Sequence, residues 1–381
     1  MTAYAKDDLL TLAKRRHNTK RTYLLVNPLQ GKHIPVSPGR ALEMMRALGA
    51  RMAEMEPGID RVSGFAETAT AVAAAVAWGM GRPCHYIHTT REAWPGGEAV
   101  EFREEHSHAV EQRLCLARLG AWIEDANAIA LVDDELSTGR PLFNAVDQLA
   151  KACPAICKKR LVAASLISRL SDAREAELAE QGIRCLSLLR LPLEDYTEAV
   201  RRFEIEGARM PAAGSGEARM LPMPPTTEDA RLGVALKPWL TQLRSSAREI
   251  AEALRSTLAG RRVTVLGTEE YMRPGLMLGR QLEAEGIAER VRFHATTRSP
   301  IGICTAPGYP IRSGWQLHSF YDESRPTFIY DLEPCDAAVI LTDSPDDAAV
   351  RQAVRDLALA LGEAGCRDVT LIREACHVQH L

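Results

Sequence analysis

The chain has 381 residues, 46% hydrophobic and 25% charged, with a formal net charge of −3. That length supports two domains, each burying its own core, while the weakly acidic balance and 5% aromatics argue against a nucleic-acid binder built on bulk positive charge or base stacking. No apolar run follows a basic start and no window reaches the roughly 18 apolar residues of a membrane span, so a soluble cytoplasmic protein with no membrane partner is expected, its nine scattered cysteines read as reduced thiols.

In chain order, apolar runs predict strands over 21–27, 59–64, 83–89, 126–132, 161–167 and 183–189. A long polar loop, 26–37, follows the first of these. An alanine-rich helix runs up to Trp78, another helix starts at Pro141, and a charged one covers 171–180 before Gly182. Buried apolar strands alternating with helices define an α/β fold around a parallel sheet. Near residue 203 the composition turns to proline, glycine and serine without a period, which reads as a linker. Beyond it, Leu243, Ile250, Leu254 and Leu258 stand at helical spacing, with Gly260 placed as a C-cap. Strands are predicted over 262–266, 291–295, 328–330, 337–341 and 369–372, and a helix over 346–365. The expected organisation is a first domain over 1–202, a linker over 203–235 and a second α/β domain over 236–381.

The strongest local signal follows Val132. Asp133, Asp134 and Glu135 are succeeded by Leu136, Ser137, Thr138, Gly139, Arg140 and Pro141. Ligands of doubly wound sheets bind beyond the carboxyl ends of strands, where carboxylates can accept hydrogen bonds from ribose hydroxyls. A turn of hydroxyl residues and glycine, leading into a helix N-terminus, can surround a phosphate, and Pro141 suits the first turn of that helix. Taken singly, the acid pair also fits an acidic turn and Ser137 or Thr138 an ordinary helix cap.

The run from Val132 to Gly139 resembles the donor-binding signature of the type I phosphoribosyltransferases, except that Pro141 stands where the family usually has a threonine. Thr296-Thr-Arg-Ser-Pro300 resembles the motif that names the TRSP domain, found with a bacterial branch of that family associated with tellurium-resistance gene clusters. The resemblance implies a parallel-sheet phosphoribosyltransferase fold and a glycosyltransferase (pentosyltransferase) activity in nucleotide metabolism. The donor is then phosphoribosyl pyrophosphate, and the acceptor a small nitrogen base. Mg2+ is held mainly by donor oxygens and water, with no dedicated protein ligands; a homo-oligomer is compatible with the sequence, which does not fix the oligomeric state. Asp133 and Asp134 would hold the ribose, and residues 135–140 the 5-phosphate side. Ala66, Glu67, Thr68 and Arg91 would bind pyrophosphate, and residues 94–108 would form a lid bearing His106 as acid or base. Lys32, His33, Arg298 and Ser299 are assigned to the acceptor or to a second pocket. A regulator that binds the donor or a nucleotide without turnover is the alternative.

The second domain is expected to be a diverged internal copy of the first. Gly64 and Gly267 each follow a strand, Arg91 and Arg298 each follow the next, and Asp133 and Asp343 each follow a third.

Overall fold

The computed structural model describes residues 4–16, 21–93, 98–103, 110–115, 117–214, 216–223 and 228–374. The first half is built from α1 (Pro38–Met55), β1 (Arg61–Gly64), α2 (Ala69–Gly79), β2 (His85–His88), β3 (Ala128–Leu136), α3 (Arg140–Ala152), β4 (Arg160–Ser168) and β5 (Ile183–Arg190). Its five strands are parallel, in spatial order β2-β1-β3-β4-β5. Every residue of α2 from Ala69 to Ala77 is buried, which explains its alanines: larger side chains would not fit a helix enclosed on all sides. A Cβ on Gly49 would stand 2.0 Å from the Val76 carbonyl oxygen, so α1 and α2 cross with backbones nearly in contact.

Three expectations change. The run 21–27 is not in the parallel sheet; Tyr23–Val26 pairs antiparallel with Thr11–Lys14, because a four-residue run is most readily paired by the segment just before it. The polar loop is followed at once by α1, which begins where the Ser37 hydroxyl accepts the Arg40 N–H. β3 does not stop at Val132 but runs to Leu136, held by parallel pairing with β4 as far as Ser168.

The second half contains α4 (Leu236–Leu258), β6 (Arg262–Gly267), α5 (Arg273–Ala284), β7 (Arg290–Ala295), β8 (Ala337–Thr342), α6 (Ala348–Glu363) and β9 (Asp368–Arg373). Its strands are parallel in the order β7-β6-β8-β9, the order of β2-β1-β3-β4. In each half an antiparallel hairpin lies between the second and third strands: Ala99–Arg103 with Val110–Cys115, and Gly314–His318 with Pro326–Tyr330. The strand foreseen over 328–330 belongs to this hairpin rather than to the main sheet. Within residues 203–235, Arg219–Pro222 extends the second sheet beside β9, and Val234–Ala235 pairs with β2 of the first.

At the ends of their first three strands the two halves match residue by residue. Gly64 pairs with His88 and Val132, and Gly267 with Ala295 and Leu341. That register sets Arg91 opposite Arg298 and Asp134, rather than Asp133, opposite Asp343. The Ala66 N–H donates to the Thr89 hydroxyl at 2.8 Å, and the Glu269 N–H to the Thr296 hydroxyl at 3.0 Å. Thr90 is bridged to Arg113, and Thr297 to Phe328. The halves also exchange edges: Val234 pairs with Tyr86 of β2, and Val36 with Phe293 of β7.

Candidate active site

β1 ends at Gly64, level with Val132, whereas β3 continues for four more residues. Asp133, Asp134 and Glu135 therefore stand on a strand end whose β1 side is open, at the point where the strand order reverses. The loop after β1 carries Ala66, Glu67 and Thr68 to that opening, and all three line one cleft with the acids, Lys32, His33, Arg91, Arg298 and Ser299. Residues predicted from five separate stretches of chain thus converge.

The acids are in different electrostatic states. Burial and the adjacent Asp134 charge hold the Asp133 carboxyl well above the usual carboxylate range. Burial also raises Asp134, but Lys32 and hydrogen bonds from Asp133 and Gln30 outweigh it and leave that carboxyl low. Lys32 Nζ is 3.9 Å from Asp134 and Gln30 Nε2 3.4 Å. Glu135 is committed elsewhere: the Arg21 guanidinium donates to it at 2.7 and 3.1 Å, with Arg169 3.7 Å away. Burial, then Lys32 and His294, hold His33 well below its ordinary value, so its imidazole is neutral.

Three buried polar atoms of the cleft, Asn27 Nδ2, His33 Nε2 and Thr68 Oγ1, have no hydrogen-bond partner among the described residues. Buried polar groups without partners are costly, and three converging on one cleft mark a place prepared for a polar ligand.

Beyond the acids, Leu136, Ser137 and Gly139 line an adjoining cavity with Phe65 and Phe102. Gly139 takes φ +71 and is the N-cap of α3, so Arg140 is the first helical residue and Pro141 the second. Thr138 and Arg140 are exposed, and the Arg140 N–H donates to the Thr138 hydroxyl at 3.3 Å. His106 and much of the expected lid, residues 94–97 and 104–108, lie outside the described residues.

The second half enters the cleft directly. Arg298 N–H donates to the Glu67 carboxylate at 3.3 Å, its Nε to Glu269 at 3.0 Å, and it is ion-paired with Glu92. Burial, then Arg325, pulls Arg298 down to about 9. In the mirrored contact, Arg91 N–H donates to the Glu270 carboxylate at 2.6 Å. Sequence reasoning missed Arg15, Asn27, Gln30 and Gln112 in the cleft and Glu270 behind it. Only Asn27 had a signal, as the polar end of an apolar run.

Among the described residues no group of three His, Cys, Asp or Glu is arranged to hold a metal, and no helix is long and apolar enough to cross a membrane.

Residues 9–190 match the family model described as phosphoribosyl transferase. Residues 228–358 match the model of the TRSP domain that lies C-terminal to that domain. The chain belongs to the phosphoribosyl transferase family, a family of pentosyl-transferring enzymes, in the form that carries a TRSP domain. Among solved structures it is similar to the adenine phosphoribosyltransferase of Giardia lamblia complexed with 9-deazaadenine, at 17% identity, covering 48% of this chain and 94% of that one, with a TM-score of 0.35. The orotate phosphoribosyltransferase of Aeropyrum pernix is 16% identical over 47% and 88%, TM-score 0.30. The adenine enzyme of Trypanosoma brucei, in complex with AMP, pyrophosphate and ribose-5-phosphate, is 14% identical over 48% and 87%, TM-score 0.29. No curated protein matches the chain.

Proposed function

We propose that this enzyme transfers ribose 5-phosphate from phosphoribosyl pyrophosphate to a ring nitrogen of a small base, releasing pyrophosphate. The observation that carries the reading is the acid pair on the overrun end of β3, facing a loop whose buried Thr68 hydroxyl has no partner among the described residues.

The acceptor nitrogen forms its bond to the anomeric carbon as the carbon–oxygen bond to pyrophosphate breaks. The electron pair of that bond leaves with pyrophosphate, and the nitrogen's proton is lost to solvent or a nearby base. Such transfer passes through an oxocarbenium-like state, so the protein's work is positioning and charge handling. Asp133 and Asp134 accept hydrogen bonds from the two ribose hydroxyls. Ser137, Thr138 and the amides at the start of α3 receive the 5-phosphate. Thr68 and Arg91 meet the pyrophosphate, and Arg298 adds charge from the second half. Neutral His33 and Lys32 face the acceptor side.

The cleft fits Mg2+ carried in by the donor, since the low carboxyl of Asp134, 3.9 Å from Lys32, would offer the ion a charged oxygen; the ion would neutralise pyrophosphate oxygens. We take residues 1–202 as the transferase domain and 236–381 as a second domain that completes its site.

The test is incubation of the full chain with donor, Mg2+ and a panel of purines, pyrimidines and other nitrogen heterocycles, followed by mass spectrometry. A new nucleotide with stoichiometric pyrophosphate is expected. Donor binding without product from any base would make the chain a sensor instead.

A further inference from the structure

A second cavity lies at the strand ends of the second half. Glu270, Tyr271 and Asp343 line it, and the matched register sets these opposite Glu67, Thr68 and Asp134, which line the first cleft. The pairing of Lys32 with Asp134 is also echoed here, by Arg231 and Asp343 at 3.2 Å.

Its chemistry is different. The residues answering to Ser137 and Thr138 are Asp346 and Asp347, and Asp347 caps α6 by accepting the Val350 N–H at 2.9 Å. Asp346 is paired with Arg373 at 2.8 Å, and the Asp347 carboxylate occupies the helix N-terminus that a phosphate dianion would need. The acids of the cavity are already engaged: Asp229 and Asp343 bind Arg231, Glu92 pairs with Arg298 and Arg325, Glu270 accepts the Thr90 hydroxyl and the Arg91 N–H, and Glu374 accepts the Tyr271 hydroxyl.

Arg273, the first residue of α5, lines the same cavity. It is 4% exposed, and its Nε, Nη1 and Nη2 all lack a hydrogen-bond partner among the described residues. Arg46, Arg244 and Arg273 all face the ring of Trp78, at 4.2, 4.6 and 5.5 Å from its centre, so the surroundings are positive. A buried guanidinium with five donors unused is strongly unfavourable unless an anion meets it. A planar carboxylate matches its fork. The wall also offers an aromatic and apolar side, Tyr86 and Trp239, with ring centres 5.5 Å apart, together with Leu243 and Pro274.

We propose that this cavity is a ligand site in its own right, taking a small carboxylic acid with an aromatic or apolar body, the carboxylate on Arg273 and the body against Tyr86 and Trp239. It is separate from the donor cleft and does not depend on turnover there.

The probes are benzoate and 3-phenylpropionate, with benzamide as an uncharged isostere, followed by ligand-observed NMR on the full chain. Both acids are expected to bind. Arg273→Met should weaken them at least tenfold, and the donor-site pair Asp133→Asn with Asp134→Asn should leave them unchanged. Without ligand, Arg273→Met should melt no lower than the parent, because it removes a desolvated cation. The proposal is overturned if neither acid binds, if Arg273→Met binds them undiminished, if benzamide binds equally well, or if inorganic phosphate displaces them. A fall in melting temperature for Arg273→Met would also overturn it, since the arginine would then be a structural stack on Trp78.

Discussion

The Glu270 carboxylate accepts the Arg91 N–H at 2.6 Å across 179 positions of chain, while the second Glu270 oxygen accepts the Thr90 hydroxyl at 2.7 Å. The loop bearing the pyrophosphate-side arginine is thus fastened by an acid of the other half.

The burial of that acid makes stability depend on pH. Burial pushes the Glu270 carboxyl up from 4.5 to about 7, so the folded state favours its protonated form. A raised folded pKa contributes stability that is full below the unfolded value and lost as pH rises through the folded one. Between pH 5 and 8 the parent should lose roughly 2–3 kcal/mol relative to Glu270→Gln, at 1.36 kcal/mol per pKa unit. Urea unfolding of both proteins at the two pH values measures this; parallel pH profiles would refute it.

Asp133→Asn combined with Asp134→Asn should abolish donor binding in a protein that still folds, because both acids lie past the last β1 partner. Each lost charge-assisted hydrogen bond is worth roughly 1.5–3 kcal/mol. Calorimetry with donor and Mg2+ is the check, and unchanged affinity would remove the acids from the site.

Arg298→Ala should lower kcat/KM for the donor by roughly ten- to a hundredfold, about 1.4–2.7 kcal/mol. Arg325 still reaches Glu269 at 2.7 Å, so the fold should survive. Unaltered kinetics would show that the second half supplies no working charge to the cleft.

Gly64→Ala should cost roughly 1–3 kcal/mol by overpacking, because the added Cβ would meet Ala69 O at 2.6 Å and Ala73 Cβ at 2.7 Å. Both neighbours belong to α2, so the loop over 65–68 must shift and donor affinity should fall with stability. Denaturation and calorimetry on the same sample test the pair; a stable variant with intact affinity would mean the loop is not positioned by this contact.

The parallel strands were legible because each is a short apolar run followed by helical spacing, and the acid–hydroxyl–glycine order was legible because the chemistry is contiguous. The internal repeat could be read from ordered landmarks, although spacing alone set Asp343 one position off its true counterpart. What escaped depends on contacts distant in sequence. Nothing local in Gly267-Thr-Glu-Glu270 says that one glutamate binds Arg298 and the next holds Arg91. The extension of β3 to Leu136 requires its pairing with β4, since three consecutive acids do not look like strand. Helix α1 had readable signals, Ser37 and Pro38 as cap and Leu42, Met45, Leu48 and Met52 as a buried stripe, but the polar loop before it masked the start.

The crossed edges at Val36 and Val234 bear on dissection of the molecule. Cutting the chain near residue 203 would strip Val234–Ala235 from the outer margin of β2 and Val36 from that of β7, leaving each fragment with unpaired main-chain groups and an uncovered row of side chains. Bare sheet margins recruit whatever strand is at hand. Each fragment expressed alone should therefore associate with itself or precipitate, and only co-expression of both should restore a soluble particle, a pairing in trans that a single covalent chain makes unconditional.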